Sequence, residues 1–230
     1  MLQSVACSEF DLEGLFGNSF SSAHDIQSVS FAFKGCVQPI KPLLRFFPWE
    51  SIQHLDLEHD MEETLEAAFE AVKSGTSLRS LVYKGYAFSD EEPPLPYKSN
   101  HRPHNDKYIK SDIHTLTFDM EGVQGLYGIV HDFLGTTLPC LASLVVSCSP
   151  PPSNKPTLTR DEIKHLWPRE VINQCFERSG CTLTTLTLSG LLLSDTDIAY
   201  ILQSTPSIHT LTLSEFRRFK KTAEFPKTIT

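Results

Sequence analysis

The chain has 230 residues, enough to bury a sizeable core as one domain or two small ones. Its 40% hydrophobic and 21% charged residues exclude a disordered or fibrous chain. A formal net charge of −8 speaks against general nucleic-acid binding, which needs Lys and Arg to neutralise phosphates, and suits a neutral or basic partner.

Taken in chain order, the amino terminus MLQSVACSEFDLEGLF has no basic stretch ahead of an apolar one, so no secretory signal is expected; residues 1–25 are expected to form a helical cap. A short pattern then begins at Ile26 with IQSVSF: an aliphatic residue, two variable ones, an aliphatic, one variable, and an apolar residue. It returns as IQHLDL from Ile52, and the next segment, DMEETLEAAFEAVKSG, reads as a helix. Asp60 and Glu63 resemble a capping box, Met61, Leu65, Phe69 and Val72 lie at helical spacing, and Gly75 suits the stop. The pattern returns as LRSLVY from Leu78, after which residues 89–112, polar and rich in Pro, Asn and charge, predict a flexible insertion.

After IHTLTF from Ile113, a helix is expected from Val123, Leu126, Tyr127, Val130, Phe133 and Leu134, closed by Gly135. LASLVV from Leu141 follows, then the breaker run SPPPSNKP and an enlarged helical repeat over residues 149–180. Within it, Thr159 and Glu162 precede one helical segment, and Pro168 opens another with Val171, Ile172, Cys175 and Phe176 on one face. LTTLTL from Leu183 leads to Ser194, a candidate cap for a helix carrying Ile198, Ile201 and Leu202 and ending near Pro206. The last copy is IHTLTL from Ile208, and residues 214–230 are left as a tail.

All 21 key positions of the seven copies are apolar, and their successive spacings are 26, 26, 35, 28, 42 and 25 residues. Strand, turn, helix, turn at such a period, within roughly 20–29 residues for most copies, is the leucine-rich-repeat unit. Side chains alternate faces along a strand, so the second and third apolar residues of each copy enter the core and the residues between them face the other way. The expected fold is therefore α/β: a single leucine-rich-repeat solenoid over residues 1–230. It has about seven irregular strand–helix repeats, a parallel inner sheet and helices on the convex face.

Two stretches carry a resemblance. FFPWESIQHLDLE, residues 46–58, resembles the Pro-Trp-led repeat entry of the leucine-rich-repeat region in mushroom-type fungal F-box proteins. FERSGCTLTTLTLSGLLLSDTDIAYILQSTPSIHTLTL, residues 176–213, is similar to their later unit. The resemblance implies a substrate receptor whose repeats hold a protein target while an F-box recruits a cullin-based ubiquitin ligase through its adaptor. The F-box itself is not visible in these residues. The copies also depart from the usual Asn or Cys a few residues after the strand, with Lys34, Asp60, Tyr86, Glu121, Ser149, Leu191 and Phe216 there instead. A free-standing scaffold or inhibitor is the alternative within binding proteins, and a hydrolase the remote one.

Aligning the copies predicts rows on the inner surface. The middle row is Ser30, Asp56, Val82, Thr117, Val145, Thr187 and Thr212, and the next is Ala32, Glu58, Lys84, Asp119, Ser147, Ser189 and Ser214. Strands about 4.8 Å apart would bring Asp56, Glu58 and Asp119 within about 10–15 Å of one another, with Lys84 between them. This acidic patch, with His54, Val82, Thr117, Val145 and Thr187 around it, is the expected partner surface, suited to a basic segment.

Other signals are weaker. Arg217, Arg218, Lys220 and Lys221 read as a solvated terminal segment, and His101, His104 and Asp106 fall short of a metal site. The six cysteines, Cys7, Cys36, Cys140, Cys148, Cys175 and Cys181, form no C-x-x-C pair and read as reduced, mostly buried thiols. No phosphate loop, nucleophile elbow or H-E-x-x-H helix is present, so neither catalysis nor a metal or cofactor is expected. With no apolar run near the roughly 20 residues that span a bilayer, the expected location is the cytoplasm or nucleus, without membrane contact.

Overall fold

Each of the seven repeated segments forms a strand. The structure is a computed structural model that describes residues 5–6, 26–33, 49–59, 72, 74–85, 109–121, 136–149, 169–191 and 193–214. The strands are β1 (Val5–Ala6), β2 (Ser28–Phe33), β3 (His54–His59), β4 (Ser80–Gly85), β5 (Ile109–Lys110), β6 (Thr115–Glu121), β7 (Thr136–Thr137), β8 (Ser143–Ser149), β9 (Thr185–Ser189) and β10 (Thr210–Ser214). Two helices, α1 (Arg169–Ser179) and α2 (Asp195–Ser204), lie among them. The main sheet has eight strands in the order β1-β2-β3-β4-β6-β8-β9-β10, so every strand lies beside the one made just before it in the sheet. All of its pairings are parallel.

The same local chemistry starts most strands. A single carbonyl accepts two successive N–H groups of the next strand's approach: Gln27 O from Gln53 and His54 at 2.8 and 2.9 Å, and Gln53 O from Arg79 and Ser80 at 2.8 and 2.9 Å. Arg79, His114, Ala142 and Thr184 carbonyls repeat the arrangement across the sheet. Tight turns precede three strands, closed by Leu78 N–H to Gly75 O, Leu141 N–H to Leu138 O and Ile208 N–H to Thr205 O. Pro139 and Pro206 occupy the position after the accepting residue in two of them, where a fixed φ suits a β-turn. Hydroxyls tie neighbouring turns together, as in Ser77 Oγ to Glu50 O at 2.6 Å and Ser207 Oγ to Leu183 O at 2.9 Å.

The core lies on one face of the sheet. Leu55, Leu81, Leu116, Leu144 and Leu186 stack as one buried ladder, and Leu57, Tyr83, Phe118, Val146 and Leu188 as a second. The leading residues Ile52, Leu78, Ile113, Leu141 and Leu183 are equally buried. α1 adds Ile172, Cys175 and Phe176 to this cluster, and α2 adds Ile201, which puts both helices on the core face. Side chains crowd the backbone where β4 ends: a Cβ on Gly85 would sit 2.6 Å from Met120 Cε and 3.0 Å from Tyr83 Cε1.

Both helices follow the sequence at their ends. Ser194 caps α2 by accepting from Asp197 N–H at 3.2 Å, and Asp197 Oδ2 accepts from Ser194 N–H at 3.0 Å, a complete capping box. Gly180, at φ 57°, terminates α1, with its N–H bonded to Phe176 O at 3.0 Å. Leu202 is exposed, because Ile198, Ile201 and Thr205 share the line that faces inward and Leu202 lies about 100° round the helix from Ile201.

Two expectations also change. The helical cap expected over residues 1–25 is corrected at Val5–Ala6, which instead pair in parallel with Phe31 and Ala32. The edge of β2 offers backbone groups that a short strand can satisfy, which outweighs a local helical tendency. The insertion expected over 89–112 closes before Ile109, since β5 pairs with β7 in a separate two-stranded sheet and Ser111 N–H bonds Thr137 O at 3.0 Å. α1 braces β7 through Arg178 Nη2 to Thr136 O at 3.0 Å, and through Leu138 N–H donating to Ser179 Oγ at 2.9 Å. Within the enlarged unit over 149–180, α1 is the helix predicted after Pro168. The helix expected around Ile163, most of those after the second and fourth strands, residues 89–108 and the tail beyond Ser214 lie outside the described residues.

Candidate protein-interaction surface

The face opposite the core is built from the alternate residues of β2, β3, β4, β6, β8, β9 and β10. The pairing register joins Ser30, Asp56, Val82, Thr117, Val145, Thr187 and Thr212 in one row across the sheet. It joins Ala32, Glu58, Lys84, Asp119, Ser147, Ser189 and Ser214 in the next, and Ser28, His54, Ser80, Thr115, Ser143, Thr185 and Thr210 in a third, towards the strand starts. Both rows read from the sequence are therefore reproduced residue for residue. All nine expected partner-site residues (His54, Asp56, Glu58, Val82, Lys84, Thr117, Asp119, Val145 and Thr187) lie on this face, outside the buried core.

The three rows differ in chemistry. The row at the strand starts is hydroxyl-bearing apart from His54, and the middle row mixes hydroxyls with Asp56, Val82 and Val145. Charge is concentrated towards the strand ends, on β3, β4 and β6, where Glu58, Lys84 and Asp119 are consecutive. Lys84 does not bond straight across its row. Its Nζ reaches diagonally to Asp56 Oδ2 at 3.0 Å, with both side chains about one-third exposed. The hydrogen bond to Asp56 is the main reason the Lys84 ammonium is held above its usual range, with the fields of Asp56, Glu58 and Asp119 adding to it against partial burial. The other oxygen of Asp56, Oδ1, is buried without a hydrogen-bond partner. Within these rows three carboxylates, Asp56, Glu58 and Asp119, lie around the one ammonium of Lys84.

Sequence reasoning missed two features beside this surface. The diagonal Lys84–Asp56 bond depends on side-chain reach that row alignment alone does not supply. At the approach to β4, Arg79 Nη1 donates to Asp112 O at 3.2 Å and lies 3.7 Å from its Oδ2, while Cys140 Sγ lies 3.8 Å from Oδ1. The signal for it was the polar residue just before most strands, among them Gln53, Arg79, His114 and His209.

No family model matches this chain, and no curated protein or solved structure is significantly similar to it. The remaining chemistry follows from the residues themselves. Burial pushes the Cys148 thiol up to about 12 and Cys181 up to about 11, and it raises Cys175 as well. These thiols are held as neutral groups, the opposite of an activated nucleophile. Among the described residues no group of three or more His, Cys, Asp or Glu side chains is placed to hold a metal ion, and no helix is long and apolar enough to cross a membrane. His101, His104, Asp106 and the basic run Arg217, Arg218, Lys220 and Lys221 lie outside the described residues.

Proposed function

We propose that the chain is a leucine-rich-repeat protein-interaction module that holds a protein partner across the open face of its parallel sheet. In its most specific form it is the substrate-recognition part of an F-box-type ubiquitin-ligase receptor. The observation that carries the interaction reading is the in-register order of β2, β3, β4, β6, β8, β9 and β10, which turns one short repeated pattern into a broad polar face backed by a continuous core. Periodic spacing near 26 residues supports the repeat assignment. The ligase link is supported by the resemblance of residues 46–58 and 176–213 to fungal F-box receptors.

The test is direct. Photo-cross-linking residues placed at Val145 and Thr187 should trap one defined partner, and the same residues placed on exposed α2 positions such as Gln203 should not. Equal trapping from both sites would overturn the open-face reading. Cullin-adaptor subunits that co-purify with the full-length gene product would support the receptor form. A stable partner complex without them would favour the alternative, a free-standing scaffold or inhibitor.

A further inference from the structure

The two ends of the main sheet are built differently. At one end β1 contributes only Val5 and Ala6; at the other β10 runs over Thr210–Ser214 with no described strand beyond it. Sheet edges are usually guarded by short strands, charges, prolines or bulges, because a row of unpaired N–H and C=O groups templates further pairing. The β1 edge is guarded by its shortness. The β10 edge reads TLTLS, uncharged, without proline and in unbroken register with β9. Leu213 is exposed on this strand, and Leu202 on the helix α2 that precedes it.

Hydrogen-bond phase fixes what the β10 edge offers. Thr210 N–H donates to Thr184 O at 3.0 Å, and Ser214 O accepts from Gly190 N–H at 2.7 Å. Thr210, Thr212 and Ser214 therefore direct their backbone groups to β9, and Leu211 and Leu213 turn theirs outward. An antiparallel strand of the same sequence, centred on Thr212, sets Leu211 opposite the partner's Leu213 and Leu213 opposite the partner's Leu211. Each of these pairs exchanges two bonds, so every outward N–H and C=O of both strands is satisfied. Thr210 then faces the partner's Ser214, and the two Thr212 residues meet in the non-hydrogen-bonded position, about 4.5 Å apart between Cα atoms. Every leucine stays on the core side and every hydroxyl on the open side. The strand is its own complement.

Two further observations favour a second copy in this arrangement. Head-to-tail addition of copies would have to pair β10 with β1, which offers two residues, so the two-fold arrangement is the one that uses the whole strand. Charge also draws a second copy to this end. Residues 215–230, which follow β10, carry five Lys or Arg against two Glu, a net +3, and the chain total of −8 leaves −11 on residues 1–214. A copy arriving at β10 brings a cationic segment to an anionic body, in both directions at once. We propose that the chain forms a weak symmetric dimer by antiparallel pairing of β10 with the β10 of a second copy, the two-fold axis passing between the two Thr212 residues, normal to the sheet. Both open faces then lie on one side, and their middle rows meet at Thr212, so both copies contribute to one continuous surface. This inference stands whatever that surface binds.

Sedimentation velocity on the full chain tests this. So small an interface should have a Kd of roughly 100 µM, leaving monomer at about 5 µM and mostly dimer at about 500 µM. Thr212 is exposed on the open face, so charge there is tolerated by the monomer. Thr212→Lys and Thr212→Asp should each weaken association about threefold to tenfold, by setting like charges against each other across the axis. An equimolar mixture of the two variants should recover it as a heterodimer. Amide exchange at Leu211 and Leu213 should slow with rising concentration in the parent chain and not in either variant alone. Unchanged circular dichroism of each variant keeps the comparison interpretable. A chain that stays monomeric at about 500 µM, a dimer indifferent to charge at Thr212, or a mixture no tighter than its components would overturn the inference. Protection of the two leucine amides that does not depend on concentration would also overturn it, since residues 215–230 of the same chain would then cover the edge.

Discussion

The last two strands of the sheet are made from the same residues and behave differently. Leu188 on β9 is 1% exposed, whereas its neighbour in the same core-facing row, Leu213 on β10, is 41% exposed. The sequences are TLTLS in both strands. What separates them is the presence of described neighbours on two sides in one case and on one side in the other. Tyr200, Leu202 and Leu213, the exposed large hydrophobic residues among those described, all belong to the α2–β10 unit. Burial in this protein is thus a property of position in the stack, and the repeated pattern supplies only the capacity for it.

That contrast can be broken most forcefully from the inside. Leu116→Ala, at the centre of the buried ladder, should lower unfolding free energy by about 2–5 kcal/mol in urea titrations, because a cavity is left among rigid neighbours. A loss as small as that at the edge would mean that the ladder is loosely packed. A second test uses the buried thiol of β8. The ordinary thiol value of 9.0 is raised to about 12 at Cys148, so the folded form keeps the proton that the unfolded form releases. Its contribution is therefore complete below about pH 9 and is lost as pH climbs from there towards 12. Cys148→Val should flatten the alkaline limb of a stability–pH profile and leave the region from pH 6 to 8 unchanged.

Smaller effects are expected towards the edge and the surface. Ser194→Ala removes the α2 cap and should cost about 1 kcal/mol, with Ser194→Asp largely restoring it. Lys84→Met, which deletes a one-third-exposed ion pair, should change stability by about 1 kcal/mol or less, and high salt should shrink that difference. Leu213→Ala should have the smallest effect, well under the cost at Leu116, since much of that side chain is already in water. A Leu213 penalty equal to that of Leu116 would show that β10 is covered in solution and would end the distinction between the two regions.

Much of this architecture was legible before any coordinates. The seven strand copies fix a register because slipping any one by a residue would turn its leucines to water, so the rows through Asp56, Val82 and Thr117 follow directly from alignment of the copies. The Ser194 cap and the stripe Ile172, Cys175 and Phe176 were likewise readable from local chemistry. Features that depend on only two residues were not. Val5–Ala6 and the β5–β7 pair are too short to show any periodicity, and they exist because an available strand edge recruits them. On α2, hydrophobic character identified the helix, while the line that faces the core is set by Ile198, Ile201 and Thr205 and leaves Leu202 exposed. At the candidate surface, the identity and row of each charge came from sequence, while the diagonal choice of Lys84 for Asp56 needed side-chain geometry.

The order of the strands also bears on how the chain is made. Each central strand's upstream partner has already been synthesised when it emerges from the ribosome, and the two starting points are only 25 to 42 residues apart along the chain. Ordering can therefore advance in step with translation, with every completed strand serving as the template for the next and no early segment waiting for a distant one. A ribosome pausing between two copies would leave behind a shorter sheet of the same kind, whose newest edge is the one surface still open to error.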